Sequence, residues 1–280
     1  MFNNEFPAIE IIPLENLVVH EHHDNQRTPP LIEKLRASGV LRNPPIAAPY
    51  NDGSGRYMVL DGANRTTALT QMGFPHVIAQ IIQPDSPHLE LNTWNHVIWG
   101  MSPDEFLQSM ADIPELILEQ VNDDEEGMRK LAANAVLVWI QTQDQRTFQV
   151  RAKTDDLVTR VKDLNIIMNA YKDKASLDRT RVRQIAPLQD IYPDLTAVIV
   201  YPPFRIQEVL KLCGEGHLFP AGVTRFTVAP RALRINYPLE EMSSARSLEE
   251  KNAKLNQWLK ERMARKGVRF YAEPTVLFDE

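Results

Sequence analysis

Leu60-Asp61-Gly62-Ala63-Asn64-Arg65-Thr66-Thr67 runs the end of an apolar strand through a single glycine into the start of a helix. The strand is Arg56-Tyr57-Met58-Val59-Leu60, and Thr66-Thr67-Ala68-Leu69-Thr70-Gln71-Met72 reads as helix, stopping at Gly73. The first turn of a helix cannot pair its own N–H groups, and its dipole is positive, so such a junction suits an anion. Gly62 lets backbone approach closely, Arg65 can fork onto a phosphate, and Asp61 can hold Mg²⁺. The same letters also fit an ordinary strand-to-helix turn with Asp61 as N-cap. There is no Gly-Lys-Ser/Thr, so this is not a Walker A loop.

Working outward, the first hundred residues alternate β and α. Ile9 to Ile12 is strand-like, Leu14 to Val19 leads into His20 to Asp24, and Pro29-Pro30 opens a helix through Leu31, Ile32 and Leu35 that closes at Gly39. A β segment at Pro45 to Pro49 meets the strand before Asp61 through the hairpin Asn51-Asp52-Gly53-Ser54-Gly55, and Val77 to Ile82 follows the helix. Ser102-Pro103-Asp104-Glu105 forms a capping box, and Asp123 to Glu126 caps another helix. Ala135 to Gln141 and Phe148 to Val150 read as a hairpin, Thr154-Asp155-Asp156 opens a helix, and Ala197 to Tyr201 is a buried strand. Helices at Pro203 to Cys213 and Ser247 to Lys266 follow, with a last β segment at Arg269-Phe270-Tyr271.

The 280 residues suit two domains, and 31 basic against 37 acidic side chains leave a net charge of −6. A chain this acidic is a poor sequence-independent binder of nucleic acid. The start carries no basic and apolar leader, and the longest apolar stretch, Leu131 to Ile140, is interrupted by Asn134 and too short for a bilayer. The one cysteine, Cys213, excludes an internal disulfide and reads as a buried structural thiol. A cytoplasmic protein without a membrane partner is expected, its oligomeric state left open.

Three further stretches could carry chemistry. His20-Glu21-His22-His23-Asp24 could offer metal ligands, though its spacing is not that of zinc proteases and a solvated loop is the plainer reading; Glu21 is the better candidate here, as a general base. Gly216 to Phe226 is an apolar loop with Thr224 and Arg225, where the plain reading pairs Arg225 with a surface carboxylate. Trp94 could wall a pocket or be core, and Arg179, Arg181 and Arg183 read as a solvated face or a local acid-binding patch.

The order of these pieces carries a resemblance. His20-Glu21 after a strand, the helix end Ser38-Gly39-Val40 with Asn43-Pro44-Pro45, and Val59-Leu60-Asp61-Gly62-Ala63-Asn64-Arg65 together resemble the ParB/sulfiredoxin fold. Gly216-His217-Leu218-Phe219, Thr224-Arg225 and Arg234 to Leu239 narrow the resemblance to the free L-serine kinases of that superfamily. The similarity covers roughly residues 10–95 and 214–242. It implies an α/β (α+β) chain with a ParB/sulfiredoxin-like nucleotide-binding domain over 1–100 and a second α/β domain over 101–242. The site would lie in the cleft between them, closed by 216–226, and 243–280 would be a C-terminal extension.

The resemblance further implies phosphoryl transfer from ATP or ADP, with Mg²⁺, to the hydroxyl of free L-serine. Glu21 falls on the catalytic glutamate and Asp61 on the aspartate near the metal and the transferred phosphate. Ser38, Gly39 and Val40 would flank the nucleotide, and Gly62, Ala63, Asn64, Arg65 and Thr66 would cradle its phosphates. His20, Trp94, Thr224 and Arg225 would hold the amino acid. The chain departs from the pattern at Ala63 and Asn64, which replace two histidines. Phe226 replaces a third histidine, and Gly222 and Val223 replace a lysine and a threonine. Two alternatives stay open: a ParB-like nucleotide-binding or DNA-associated regulator, against which the acidic balance counts, and a non-catalytic ligand sensor, which Ala63 and Phe226 make plausible.

Overall fold

In the computed structural model, β1 (Ala8–Pro13) and β2 (Leu17–Val19) are joined by a 3-10 turn at Leu14–Asn16. Then come α1 (Thr28–Ser38), the two-residue β3 (Val40–Leu41), β4 (Ile46–Pro49), β5 (Tyr57–Asp61), α2 (Ala63–Gln71) and β6 (His76–Ile81). The structure describes residues 6–22, 28–154 and 156–271. One sheet takes five of these strands in the order β1-β6-β4-β5-β2. The β4–β5 hairpin is antiparallel, as its glycine-rich turn requires, whereas β2 runs parallel to β5 with Val19 opposite Val59.

That parallel register positions the site. His20-Glu21 and Leu60-Asp61 leave the sheet side by side at the carboxyl ends of adjacent strands, where open α/β sheets place their ligands. Both faces of the sheet are covered, so its central strands read as continuous apolar runs. Leu35 and Leu69 of the two helices join Ile11 and Ile78 in one core cluster, while Met58 and Leu60 belong to another.

β7 (Leu89–Thr93) and β8 (Asn95–Trp99) lead into α3 (Pro103–Ala111), β9 (Leu116–Val121), α4 (Asp124–Ala132), β10 (Val138–Thr142) and β11 (Thr147–Ala152). Next are α5 (Leu157–Asn169), β12 (Ser176–Thr180), β13 (Leu195–Val200) and α6 (Ile206–Gly214). A second sheet, wholly antiparallel, has the order β12-β8-β13-β10-β11-β9. Ser102 and Glu105 form the expected reciprocal cap on α3, and Asp123 and Asp156 cap α4 and α5. α6 turns back to the first sheet, packing Val209, Leu212 and Cys213 with Met58 and Leu60.

The chain ends through β14 (Thr224–Val228), β15 (Tyr237–Pro238), α7 (Leu239–Ser243) and α8 (Leu248–Ala264). β14 pairs with β7 and β15 with β3, so the late segment binds the first sheet's side of the molecule. α8 lies on β1, where the Asn252 side chain donates to Ile11 O and accepts from Ile11 N, each at 2.8 Å.

Some sequence expectations shift. The strand read from Ala135 begins only at Val138, because Asn134 adopts a left-handed φ of 58° and ends the preceding helix in a turn. The helix read from Pro203 begins at Ile206, with Arg205 as its cap. Arg269-Phe270-Tyr271 forms no strand; Phe270 and Tyr271 are solvent-exposed and no sheet edge meets them among the described residues. No described helix is long and apolar enough to cross a membrane.

His96 on β8 is fully buried, and burial lowers its pKa from 6.5 to about 4. The unfolded chain therefore takes up this proton first as pH falls, so its contribution is complete above about 6.5 and lost towards 4. That window is worth about 3 kcal/mol from this one group. Urea unfolding at pH 7 and pH 4.5 should show the decline, and His96→Gln should make it shallower. An unchanged difference between the two pH values would assign the effect elsewhere.

Candidate active site

A cleft of about 970 Å³ opens at the carboxyl ends of β2 and β5. His20 forms its floor: the ring is buried, with Nδ1 2.5 Å from Val59 O and Nε2 2.6 Å from Thr224 Oγ1. A carbonyl can only accept, so Nδ1 carries the proton and the Thr224 hydroxyl donates to Nε2. Burial keeps the His20 ring neutral by lowering its pKa, against the opposing influence of Glu21. Phe226 packs on the ring at right angles, with centroids 5.2 Å apart. Cys213, its thiol pushed up to about 12 by burial, donates from Sγ to the His20 carbonyl at 3.6 Å and is no nucleophile.

Glu21 follows directly and forms a parallel bridge with Phe219. Phe219 N–H donates to His20 O at 2.8 Å and His22 N–H to Phe219 O at 3.2 Å, so the glutamate's backbone is clamped on both sides. Its Oε2 accepts the Gly222 N–H at 2.8 Å and lies 4.0 Å from His20 Nε2.

Asp61 faces the cleft from the end of β5. It does not cap α2; Gly62 does so by backbone alone, at a left-handed φ of 101°. A Cβ at Gly62 would lie 3.0 Å from the Pro45 Cα, so both conformation and space demand glycine here. Arg65 reaches back one turn to Asp61 Oδ2 at 3.1 Å and also donates to Asn43 O at 2.6 Å. Arg231, from the segment after β14, donates to the same Asp61 Oδ2. Burial would raise the Asp61 carboxyl, but Arg65 and Arg231 outweigh it and hold it below the usual carboxylate range.

Of the residues singled out in the sequence, His20, Glu21, Ser38, Val40, Asp61 and Gly62 to Arg65 line the cleft, with Trp94, Thr224 and Arg225. Arg225 stacks its guanidinium 4.8 Å from the Trp94 ring centroid instead of pairing with a surface carboxylate. Gly39 and Thr66 do not line it: Gly39 closes α1 through Leu35 O, and Thr66 is buried in α2. His23 and Asp24 lie outside the described residues. Both His20 nitrogens are engaged, and no three His, Cys, Asp or Glu side chains gather as a metal site among the described residues.

Sequence reading misses Lys34, Arg42 and Arg231, which line the cleft together with Arg179. With Arg65 and Arg225 they set six cations against two acids, Glu21 and Asp61, a local reversal of the chain's net charge of −6. Arg179, read in the sequence with Arg181 and Arg183 as a solvated face or a local acid-binding patch, crosses Gly222, where a Cβ would lie 2.6 Å from its Nε. An arginine on a strand that alternates with Asp178 and Thr180 carries no local signal that it enters a site.

Comparison with known proteins follows the same outline. No family model matches the chain. It is 24% identical over 288 aligned positions to the ATP-dependent L-serine kinase SbnI of Staphylococcus aureus, spanning 99% of this chain and 100% of that protein. The solved structure of SbnI from S. aureus with a C-terminal truncation superposes with a TM-score of 0.72 at 22% identity, over 91% of this chain and 97% of that one. A free serine kinase solved in complex with AMP gives a TM-score of 0.67 at 19% identity, over 84% of this chain and 94% of that one. The α/β expectation is borne out, and the chain shares the fold of these two structures over 91% and 84% of its length.

Proposed function

We propose that the chain is an ATP-dependent kinase of free L-serine, giving O-phospho-L-serine and ADP. The observation that carries this reading is the end-to-end likeness to a protein named ATP-dependent L-serine kinase, in a chain whose cleft sets Glu21 beside the Asp61-Gly62 helix start. The two sheets then act as two α/β domains, the first holding nucleotide and the second, with 216–226, closing over the acceptor.

Phosphoryl transfer asks for positioning and charge stabilisation more than for unusual groups. Glu21 takes the proton of the serine hydroxyl as its oxygen bonds to the γ-phosphorus and the bridge to the β-phosphate breaks. The Gly222 N–H holds Glu21 Oε2, leaving Oε1 for the hydroxyl, while His20, kept neutral, does not compete for the carboxylate. The first turn of α2 with Arg65, and Arg231 above it, meets the phosphates. Ser38 and Val40 flank the nucleotide, and Trp94, Thr224 and Arg225 wall the amino acid.

Mg²⁺ arriving with a nucleotide needs one or two carboxylates, because phosphate oxygens and water complete its shell. Both arginines bind Asp61 through Oδ2, which leaves Oδ1 as the oxygen for such a cation, so the donor set fits. Bound there, Mg²⁺ would neutralise charge on the phosphates.

Two substitutions test the assignments. Glu21→Gln should lower turnover by about 10²–10⁴-fold while calorimetry finds ATP affinity within about twofold; unchanged turnover, followed by phosphorus NMR with L-serine, rejects Glu21 as the base. Gly62→Ala should weaken ATP binding by about tenfold or more through the Pro45 contact and the left-handed backbone. Unaltered ATP affinity in that variant would remove the α2 start from the phosphate site.

A further inference from the structure

Arg179 has a setting that the positioning of the nucleotide does not use. It lies on the edge strand β12, opposite His96 in the register with β8, one residue pair from Asn95 and so next to Trp94. Its side chain passes over Gly222: a Cβ there would meet Nε at 2.6 Å and Cζ at 2.9 Å. The same Gly222 donates its N–H to Glu21 Oε2 and receives His96 Nε2 on its carbonyl at 3.2 Å. The guanidinium therefore lies over the peptide that holds Glu21.

The two other cleft arginines considered for the phosphate side, Arg65 and Arg231, both bind Asp61, and Arg225 is stacked on Trp94. Arg179 pairs with no carboxylate among the described residues and remains solvent-exposed within the cleft wall. An exposed, unpaired guanidinium beside a glutamate that must meet a hydroxyl is placed for a second group of the same small molecule. In a 2-amino-3-hydroxy acid, the carboxylate lies two carbons from the hydroxyl, and a guanidinium fork matches it in two parallel hydrogen bonds.

We infer that Arg179 receives the acceptor's carboxylate and so selects a free amino acid over the corresponding amino alcohol. The inference rests on the kinase reading for the identity of the acceptor. Gly222 is the residue that makes this possible, since any side chain there would push the guanidinium out of the cleft.

The test measures binding of O-phospho-L-serine and of O-phosphoethanolamine, which lacks only the carboxylate, to the full chain and to Arg179→Ala and Arg179→Lys by calorimetry. Phosphorus NMR runs beside it, with Mg²⁺-ATP and L-serine. The unaltered chain should prefer O-phospho-L-serine by about tenfold or more, the scale of a charge-assisted hydrogen bond. Arg179→Ala should abolish the preference while O-phosphoethanolamine binds within about twofold, and Arg179→Lys should keep part of it. A preference that survives Arg179→Ala overturns the inference. So does equal weakening of both ligands, which would place Arg179 on the phosphoryl group, and so does failure of the unaltered chain to bind O-phospho-L-serine. Loss of the preference in a chain that makes no O-phosphoserine would keep Arg179 as a carboxylate site and retire the kinase reading instead.

Discussion

The buried imidazole of His20 is the constraint on which the cleft depends. It ties the end of β2 to the backbone of β5 and to the hydroxyl of Thr224, 204 residues further along the chain. Because Val59 O can only accept, the tautomer has one solution, and the Thr224 hydroxyl has one direction. The His20 carbonyl is used as well, by Phe219 N–H and the Cys213 thiol. Glu21, the next residue, shares this rigidity and adds to it by accepting the Gly222 N–H on Oε2, which leaves Oε1 to face a ligand. Such a fully satisfied buried network specifies a unique arrangement; a half-satisfied one would not.

Charge is arranged against the average. The chain is acidic overall, yet the cleft gathers six cations around two carboxylates. Low-dielectric walls concentrate the field of such a cluster, so its effect on an anionic ligand exceeds what net charge suggests. Asp61 sits within that field and stays ionised because two guanidiniums offset its burial. Net charge, an average over the whole chain, was no guide to the cleft.

The departures from the serine kinase pattern have visible physical counterparts. Phe226 packs at right angles to the His20 ring, so the position serves as an apolar wall for the buried imidazole. Gly222 leaves the space that the Arg179 side chain crosses, returning a cation to that wall from a different strand. Ala63, buried at the start of α2, removes a side chain from the turn, while Asn64 keeps an amide on the cleft. The substitutions alter which segments supply the polar groups more than they empty the site.

What the sequence by itself determined was local: the Asp61-Gly62 junction, the Ser102–Glu105 cap, the helix closed at Gly39, and Glu21 at a strand end. Each depends on residues within a few positions of one another, where sterics and hydrogen bonding are set by spacing alone. The missing strand at Arg269 to Tyr271 shows the limit, since alternating apolar residues make a strand only where a sheet edge meets them. Arg179 and Arg231 show it again. Their place in the cleft follows from the pairing of β12 with β8 and from the return of the chain after β14, and no spacing encodes that. Tertiary structure decided which cations face Glu21 and Asp61, because an arginine's role is set by the surface its long side chain crosses, here a glycine 43 residues away.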